Sequence, residues 1–223
     1  MQDIARYFPI VTTIFSFIIA REMFNHYLQQ KTHYVLCWAF GVLAFGLAAL
    51  AASINALFGW SAANVKFWYF AGALVGGFPL AQGTLYLLTK RKIADVLAGI
   101  FLLVIAVGAV CVALTPLTIP SDFDHQLTGK VFSWRWVRYF PLVTNSYSFF
   151  VLVIGGIYSF YLHRTSVGND SPYLANATIA LGSLMPGFGG ILMRMGFVNA
   201  LFVVDFLAMI VIYSGFLILK QNE

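Results

Sequence analysis

Residues 6–17 read RYFPIVTTIFSF, and residues 138–149 read RYFPLVTNSYSF. Eight of the twelve positions are identical, at a constant offset of 132. Each copy opens a long apolar run, so the fold turns on what those runs are and how many separate the copies. Of the 223 residues, 61% are hydrophobic and 9% are charged, where soluble domains carry about 25% charged residues. About 20 apolar residues take a helix across the hydrocarbon of a bilayer. Seven stretches reach that length: 7–28, 34–58, 66–88, 94–115, 139–162, 174–193 and 197–219.

The two copies open the first and fifth of these helices. Four crossings lie between them, an even number, so both enter the bilayer from one side. The expected fold is therefore all-α and polytopic, one membrane domain over 1–223, with a parallel three-plus-one-plus-three repeat; the alternative for the doubled stretch is a helix-entry device without duplication, with Arg, Tyr and Phe at the interface and Pro in the first turn. Repeat 1 covers 1–90, a linker helix 91–116, an outer loop 117–137 and repeat 2 138–223. The same offset matches Phe70 with Phe202, Gly83 with Gly215, Leu85 with Leu217 and Leu87 with Leu219. Helices two and six align only loosely.

The formal net charge of +5 sits at helix ends, where basic side chains anchor to headgroups. Lys90-Arg91-Lys92 is the tight basic cluster, and the positive-inside rule places it in the cytoplasm. This puts the N-terminus outside and the C-terminus inside, in the inner (plasma) membrane of a bacterium. Arg6, Lys66, Lys130, Arg135, Arg138 and Arg194 fall on the outer side. Little chain remains for a soluble catalytic or DNA-binding domain, so nucleic acid is not expected as a partner. The bilayer is, and glycine-rich faces offer packing to a second copy or to other membrane subunits. Cys37 and Cys111 lie within helices and read as small packing residues. The first run lacks a basic leader and meets Arg21-Glu22, so no cleaved signal peptide is expected.

Polar groups within the apolar runs are the candidates for function. Asp205 lies eight residues into helix seven, near the bilayer middle, where an ionisable group is a functional hypothesis by default. Asn145 is expected at similar depth as its partner. Thr12 and Ser16 match Thr144 and Ser148 across the repeat; each pair is four apart and shares a helix face. Two such faces meeting at a pseudo-axis form a candidate ligand pathway. The alternative is back-bonding to the helix or packing between helices. Arg21, Glu22 and His26 are candidates for a cytoplasmic gate, against a plain interfacial charge cluster. Gln82 is expected to make an interhelical hydrogen bond. The aromatic-basic stretch FSWRWVRYF (132–140) reads as an interfacial segment, with a lid over a ligand as the alternative.

Enzyme motifs are missing: there is no HExxH helix and no Gly-x-Ser-x-Gly turn. No two histidines share mid-membrane depth, which disfavours a bis-histidine haem. The expectation is a non-enzyme with no catalytic residue, no metal and no cofactor.

The arrangement resembles two families in architecture, the sugar-transporting SWEET proteins and the microbial opsins. The opsin resemblance implies a lysine in the middle of helix seven to hold retinal. Here Asp205 occupies that interior and Lys220 stands at the helix end, so a retinal Schiff base is not expected. WYFAGALVGGFPLAQGTLYLL (68–88), GGIYS (155–159) and NATIALGSLMPGFGGILMRMG (176–196) look similar to small bacterial seven-helix membrane proteins without an assigned activity. The resemblance implies a prokaryotic inner-membrane protein and no particular chemistry. The functional expectation is a small-solute transporter or permease-like protein with a midplane Asp205. Its alternatives are an opsin-like sensory or apolar-ligand-binding protein and an accessory subunit of a larger membrane complex.

Overall fold

The structure, a computed structural model, describes residues 7–119, 127–165, 171–194 and 198–221; the side chains of 190–200 are not described. Arg6, Asp122, Asp124, His125 and the Arg194 side chain therefore lie outside the described residues. Among those described, seven long helices account for nearly the whole fold. They are α1 (Phe8–Gln30), α2 (His33–Phe58), α3 (Ala62–Leu88), α4 (Arg91–Leu114), α5 (Tyr139–Thr165), α6 (Ser171–Arg194) and α7 (Val198–Gln221). Six of them are long and apolar enough to cross a membrane, as expected of a multi-pass membrane protein.

The helices overrun the seven apolar stretches by a few residues, because polar residues continue the backbone hydrogen bonding past the lipid-buried length. Pro9 starts α1 within its first turn, where a missing N–H leaves no bond unmade. Lys31 ends α1 in the left-handed region at φ 57° and returns its N–H to Tyr27 O. Gly59 closes α2 at φ 82°, a conformation that favours glycine. Ser61 then caps α3, accepting from the Asn64 N–H at 3.2 Å.

Six helices pack in the order α1, α2, α3, α5, α6, α7 and back to α1, with α3 also touching α6. α4 lies outside this ring against α3 and α5. Polar ties hold α4 along its length: Lys66 Nζ to Ala113 O at 2.7 Å, Gln82 Nε2 to Ala94 O at 2.7 Å and Tyr86 Oη to Asp95 Oδ1 at 2.8 Å. The main core gathers Ile19, Met23, Trp38, Val42, Leu152, Ile179, Met209, Ile212 and Phe216. Large apolar side chains such as Leu103, Phe150 and Ile157 face outward, as a lipid-facing surface allows. Small residues set the helix crossings, as they do where lipid removes any hydrophobic force between helices. Between α2 and α3, Gly41 meets Leu80 and Gly83 meets Trp38 with no room for a Cβ, and Gly72 meets Ala48 at a tight 3.1 Å. Between α6 and α7, Gly182 meets Ile212 and Gly215 meets Ile179 with no room for a Cβ, and Gly189 meets Leu201 and Val204 at a tighter-than-usual 3.1 and 3.3 Å.

α3 is broken. Ala62–Trp68 is α-helical, Tyr69–Val75 is wound as a π-helix, and the α-helix resumes at Phe78–Leu88. Gly76 N bonds back to Ala71 O at 3.1 Å, the long-period bond of a π turn. Pro79 follows in the first turn of the resumed helix and supplies no N–H. Carbonyls near this junction thus lose their helical partners. The 116–137 connection, where described, folds back on the end of α3: Thr118 N bonds Val131 O and Ser133 N bonds Pro116 O. Phe132 packs edge-on to Tyr69 with ring centroids 4.7 Å apart.

Candidate functional site

The break in α3 is repaired by α5. Asn145 Nδ2 donates to Ala73 O at 3.1 Å, and Thr144 Oγ1 donates to Leu74 O at 3.1 Å. Both acceptors belong to the π-helical segment. Irregular backbone at membrane depth is tolerated where protein buries it or where it lines a cavity, and here it does both. Gly77 lies against Ser148 Cβ at a distance that a Cβ would reduce to 3.1 Å, which lets α5 approach the break closely.

Beside this junction is a cleft of about 580 Å³, within the roughly 300–1,000 Å³ range of small-molecule sites. Gly72, Gly76, Gly77 and Leu80 of α3 form one wall. Leu142, Asn145, Ser146, Ser148, Phe149, Phe150 and Leu152 of α5 form the second. Ser183, Leu184, Pro186 and Gly187 of α6 form the third, and Phe45 and Ile212 close the floor. No lining residue is charged. Ser148 Oγ bonds its own helix at Thr144 O (2.8 Å) and Ser183 Oγ does so at Ile179 O (2.6 Å). Ser146 has no hydrogen bond among the described residues, and Asn145 makes only the bond to Ala73. Both are exposed, at the rim of the cleft.

The expected pathway residues divide. Asn145 and Ser148 line the cleft, while Thr144 is buried behind it on the α3 break. Thr12 and Ser16 are buried elsewhere. Thr12 donates to Phe8 O at 3.0 Å. Ser16 Cβ faces Gly46 of α2, where a Cβ would stand 2.9 Å from it, and Ser16 Oγ is buried without a partner among the described residues. Among the described residues no hydrogen bond joins the Thr12/Ser16 face to the Thr144/Ser148 face: Thr12 and Ser148 bond back to their own helices and Thr144 bonds α3.

Asp205 does not pair with Asn145, whose amide is committed to Ala73 O. Its Oδ1 is buried and has no hydrogen-bond partner among the described residues. It lies outside the cleft, one turn before the core stripe of Ala208, Met209, Ile212 and Phe216, and next to Phe206, which packs on Phe8 and Phe15.

At the other end of α1, Glu22 Oε2 accepts from Tyr213 Oη at 3.3 Å and lies 3.9 Å from Lys220 Nζ. His26 is buried with its ring edge-on to Phe216. Arg21 is exposed. Glu22 and His26 thus join α1 to α7, and Arg21 points elsewhere. Gln82 makes the interhelical bond expected of it, and two: beyond Ala94 O, its Oε1 accepts from Tyr147 Oη at 2.8 Å.

Ser146, Ser183, Gly187 and the π turn were not foreseen from the sequence as site features. A signal was present all the same. The twelve-residue copies differ at Leu142, Asn145, Ser146 and Tyr147; the first three line the cleft and the fourth reaches Gln82. Three of the four differences between the copies fall on the cleft, beside the shared Ser148 and Phe149. No known protein family, curated protein or solved structure matches the chain.

Proposed function

We propose that the chain is a small-solute permease-like protein of the bacterial inner membrane, built from two parallel three-helix halves joined by α4, with its solute seat in the α3–α5–α6 cleft. The observation that carries the reading is that the break in α3 at Gly76-Gly77 borders the same cleft as Pro186-Gly187, a proline step inside the continuous helix α6. An interrupted helix beside a cavity, within an apolar span, is a structural pointer to a transport site. The Lys90-Arg91-Lys92 turn favours an N-terminus-out orientation.

The helix crossings support the duplication. Shifting α3 positions by 132 and α2 positions by 141 carries Gly41/Leu80 onto Gly182/Ile212, Trp38/Gly83 onto Ile179/Gly215, and Ala48/Gly72 onto Gly189/Val204. The change of register explains why helices two and six align poorly at the single offset. The same shifts carry Ser16 onto Ser148 and Gly46 onto Gly187. The first half is closed at this point, with Gly46 against Ser16, whereas a Cβ on Gly187 would meet nothing within 4 Å. On this reading the cleft is a crossing that one half keeps shut and the other has opened.

Reconstitution into liposomes with a panel of uncharged and charged small solutes tests the proposal. Flux that is abolished by Gly187→Leu is the expected result. The absence of flux for every solute, with or without a pH gradient, overturns it. The apolar lining favours a second reading, an apolar-ligand or pigment-binding protein, and a visible absorption band in the purified protein would select it.

A further inference from the structure

We infer that the occupant of the cleft is an uncharged, mainly apolar molecule with a hydroxyl or amide end, and that it arrives sideways from the bilayer between α5 and α6. The inference rests on the permease reading for the seat and goes beyond it in naming the ligand class and the route.

Depth comes first. Leu142 to Leu152 lie about 5 to 20 Å along α5 at 1.5 Å per residue, inside a hydrocarbon layer about 30 Å thick. Ser183 and Gly187 reach matching depth on α6, which runs the opposite way. At that depth the rim is greasy: Leu142, Phe149 and Phe150 are 59%, 54% and 60% exposed. A cleft whose lip faces lipid chains is supplied from the bilayer, where uncharged apolar molecules concentrate.

Charge comes second. Among the lining residues there is no Asp, Glu, Lys, Arg or His. An ion entering at this depth would lose its hydration with no counter-charge to replace it. The seat therefore selects against charge, and Asp205, Glu22 and Lys220 are not among the residues that line it.

The third argument is the polar handle. Asn145 Oδ1 and Ser146 Oγ both line the cleft, with no hydrogen bond to either among the described residues. Asn145 offers an acceptor and Ser146 a donor and acceptor, so either can take the hydroxyl or amide end of a ligand. Behind them the walls are Gly, Leu and Phe, complementary to a hydrocarbon body.

The test is photolabelling of the full chain in lipid nanodiscs with a diazirine-bearing long-chain alcohol. Its carboxylate and trimethylammonium analogues serve as charged controls. Labelled residues are mapped by mass spectrometry. The expected result is labelling within 142–152 and 183–187 that saturates, is displaced by unlabelled long-chain alcohol, and is weaker for both charged analogues. Gly187→Leu and, independently, Ser146→Leu fill the seat and remove the saturable labelling. Asn145→Val lowers apparent affinity about fivefold for the alcohol, the worth of one hydrogen bond, and leaves a diazirine alkane unaffected. Labelling spread evenly over the lipid-facing residues of α4, such as Leu102 and Leu103, overturns the inference, as does equal labelling by the charged analogues. Saturable labelling without flux sustains the ligand seat and removes the permease reading. Flux without labelling here does the reverse.

Discussion

Ser16 and Gly46 touch so closely that a Cβ on the glycine would stand 2.9 Å from the serine Cβ. The α1–α2 crossing is therefore built on the absence of one carbon. Gly46→Leu forces the helices apart and is expected to cost about 1–3 kcal/mol or more, the range for overpacking a tight contact. Gly187→Leu, with open space around it, stays within about 0.5 kcal/mol of the parent. Thermal unfolding in a mild detergent separates the two, and equal losses would remove the distinction between a closed and an open crossing.

Ser16 also carries a buried hydroxyl with no partner among the described residues. An unsatisfied buried polar group costs about 1–3 kcal/mol. Ser16→Ala keeps the size that Gly46 accepts and deletes the hydroxyl, so its melting temperature should rise. A fall would mean that the hydroxyl is satisfied in the native protein.

Asp205 calls for a similar experiment with a different use. Its Oδ1 is buried and has no hydrogen-bond partner among the described residues, and it lies outside the cleft. Asp205→Leu is expected to raise thermal stability by about 1–3 kcal/mol, by removing that unmet acceptor, while leaving photolabelling of the cleft unchanged. If Asp205→Leu instead abolishes labelling at Asn145 and Ser146, the aspartate belongs to the seat after all.

Asn176 is a polar knot between three helices. It accepts from Thr84 Oγ1 at 2.8 Å and donates to Ser159 Oγ at 2.8 Å, joining α3, α5 and α6. Interhelical hydrogen bonds in membranes average about 0.6 kcal/mol and reach about 1.7. A double-mutant cycle of Thr84→Val with Asn176→Leu should give a coupling of that size. A coupling indistinguishable from zero would mean that the two side chains do not meet.

Gln82 bridges α4 and α5 and shares the start of α4 with the Tyr86–Asp95 bond. Gln82→Leu breaks both of its bonds, whereas Tyr147→Phe breaks one. Hydrogen exchange at the start of α4, around Arg91–Ala94, should speed up in Gln82→Leu and stay near the parent rate in Tyr147→Phe. Equal acceleration would place the anchoring in Tyr147 rather than in the bond to Ala94.

Much of the fold was legible in the sequence. The seven helices fall where apolar length put them, because a lipid-facing backbone must satisfy its own hydrogen bonds and a helix of about 20 residues is the shortest span that does so. Pro9 and Pro141 stand in first turns for an equally local reason. The role of Gln82 was readable too, since a buried amide in lipid must find partners on a neighbouring helix.

The site was only half legible. Periodicity placed Thr144 and Ser148 on one face, but it could not say that Thr144 and Asn145 would be spent on carbonyls of a π turn. That turn comes from the Gly76-Gly77-Phe78-Pro79 junction meeting α5, which is a fact about two helices. Nor could spacing tell that Gly46 would close on Ser16 while Gly187 stands free. Composition and apolar length, acting locally, determined by themselves that the chain is a multi-helix membrane protein and where its helices run. Only the tertiary structure decided which polar groups pair, which lie buried and unpaired, and where the cleft opens. Those outcomes depend on the gap between helices, and side chains far apart in the sequence set that gap.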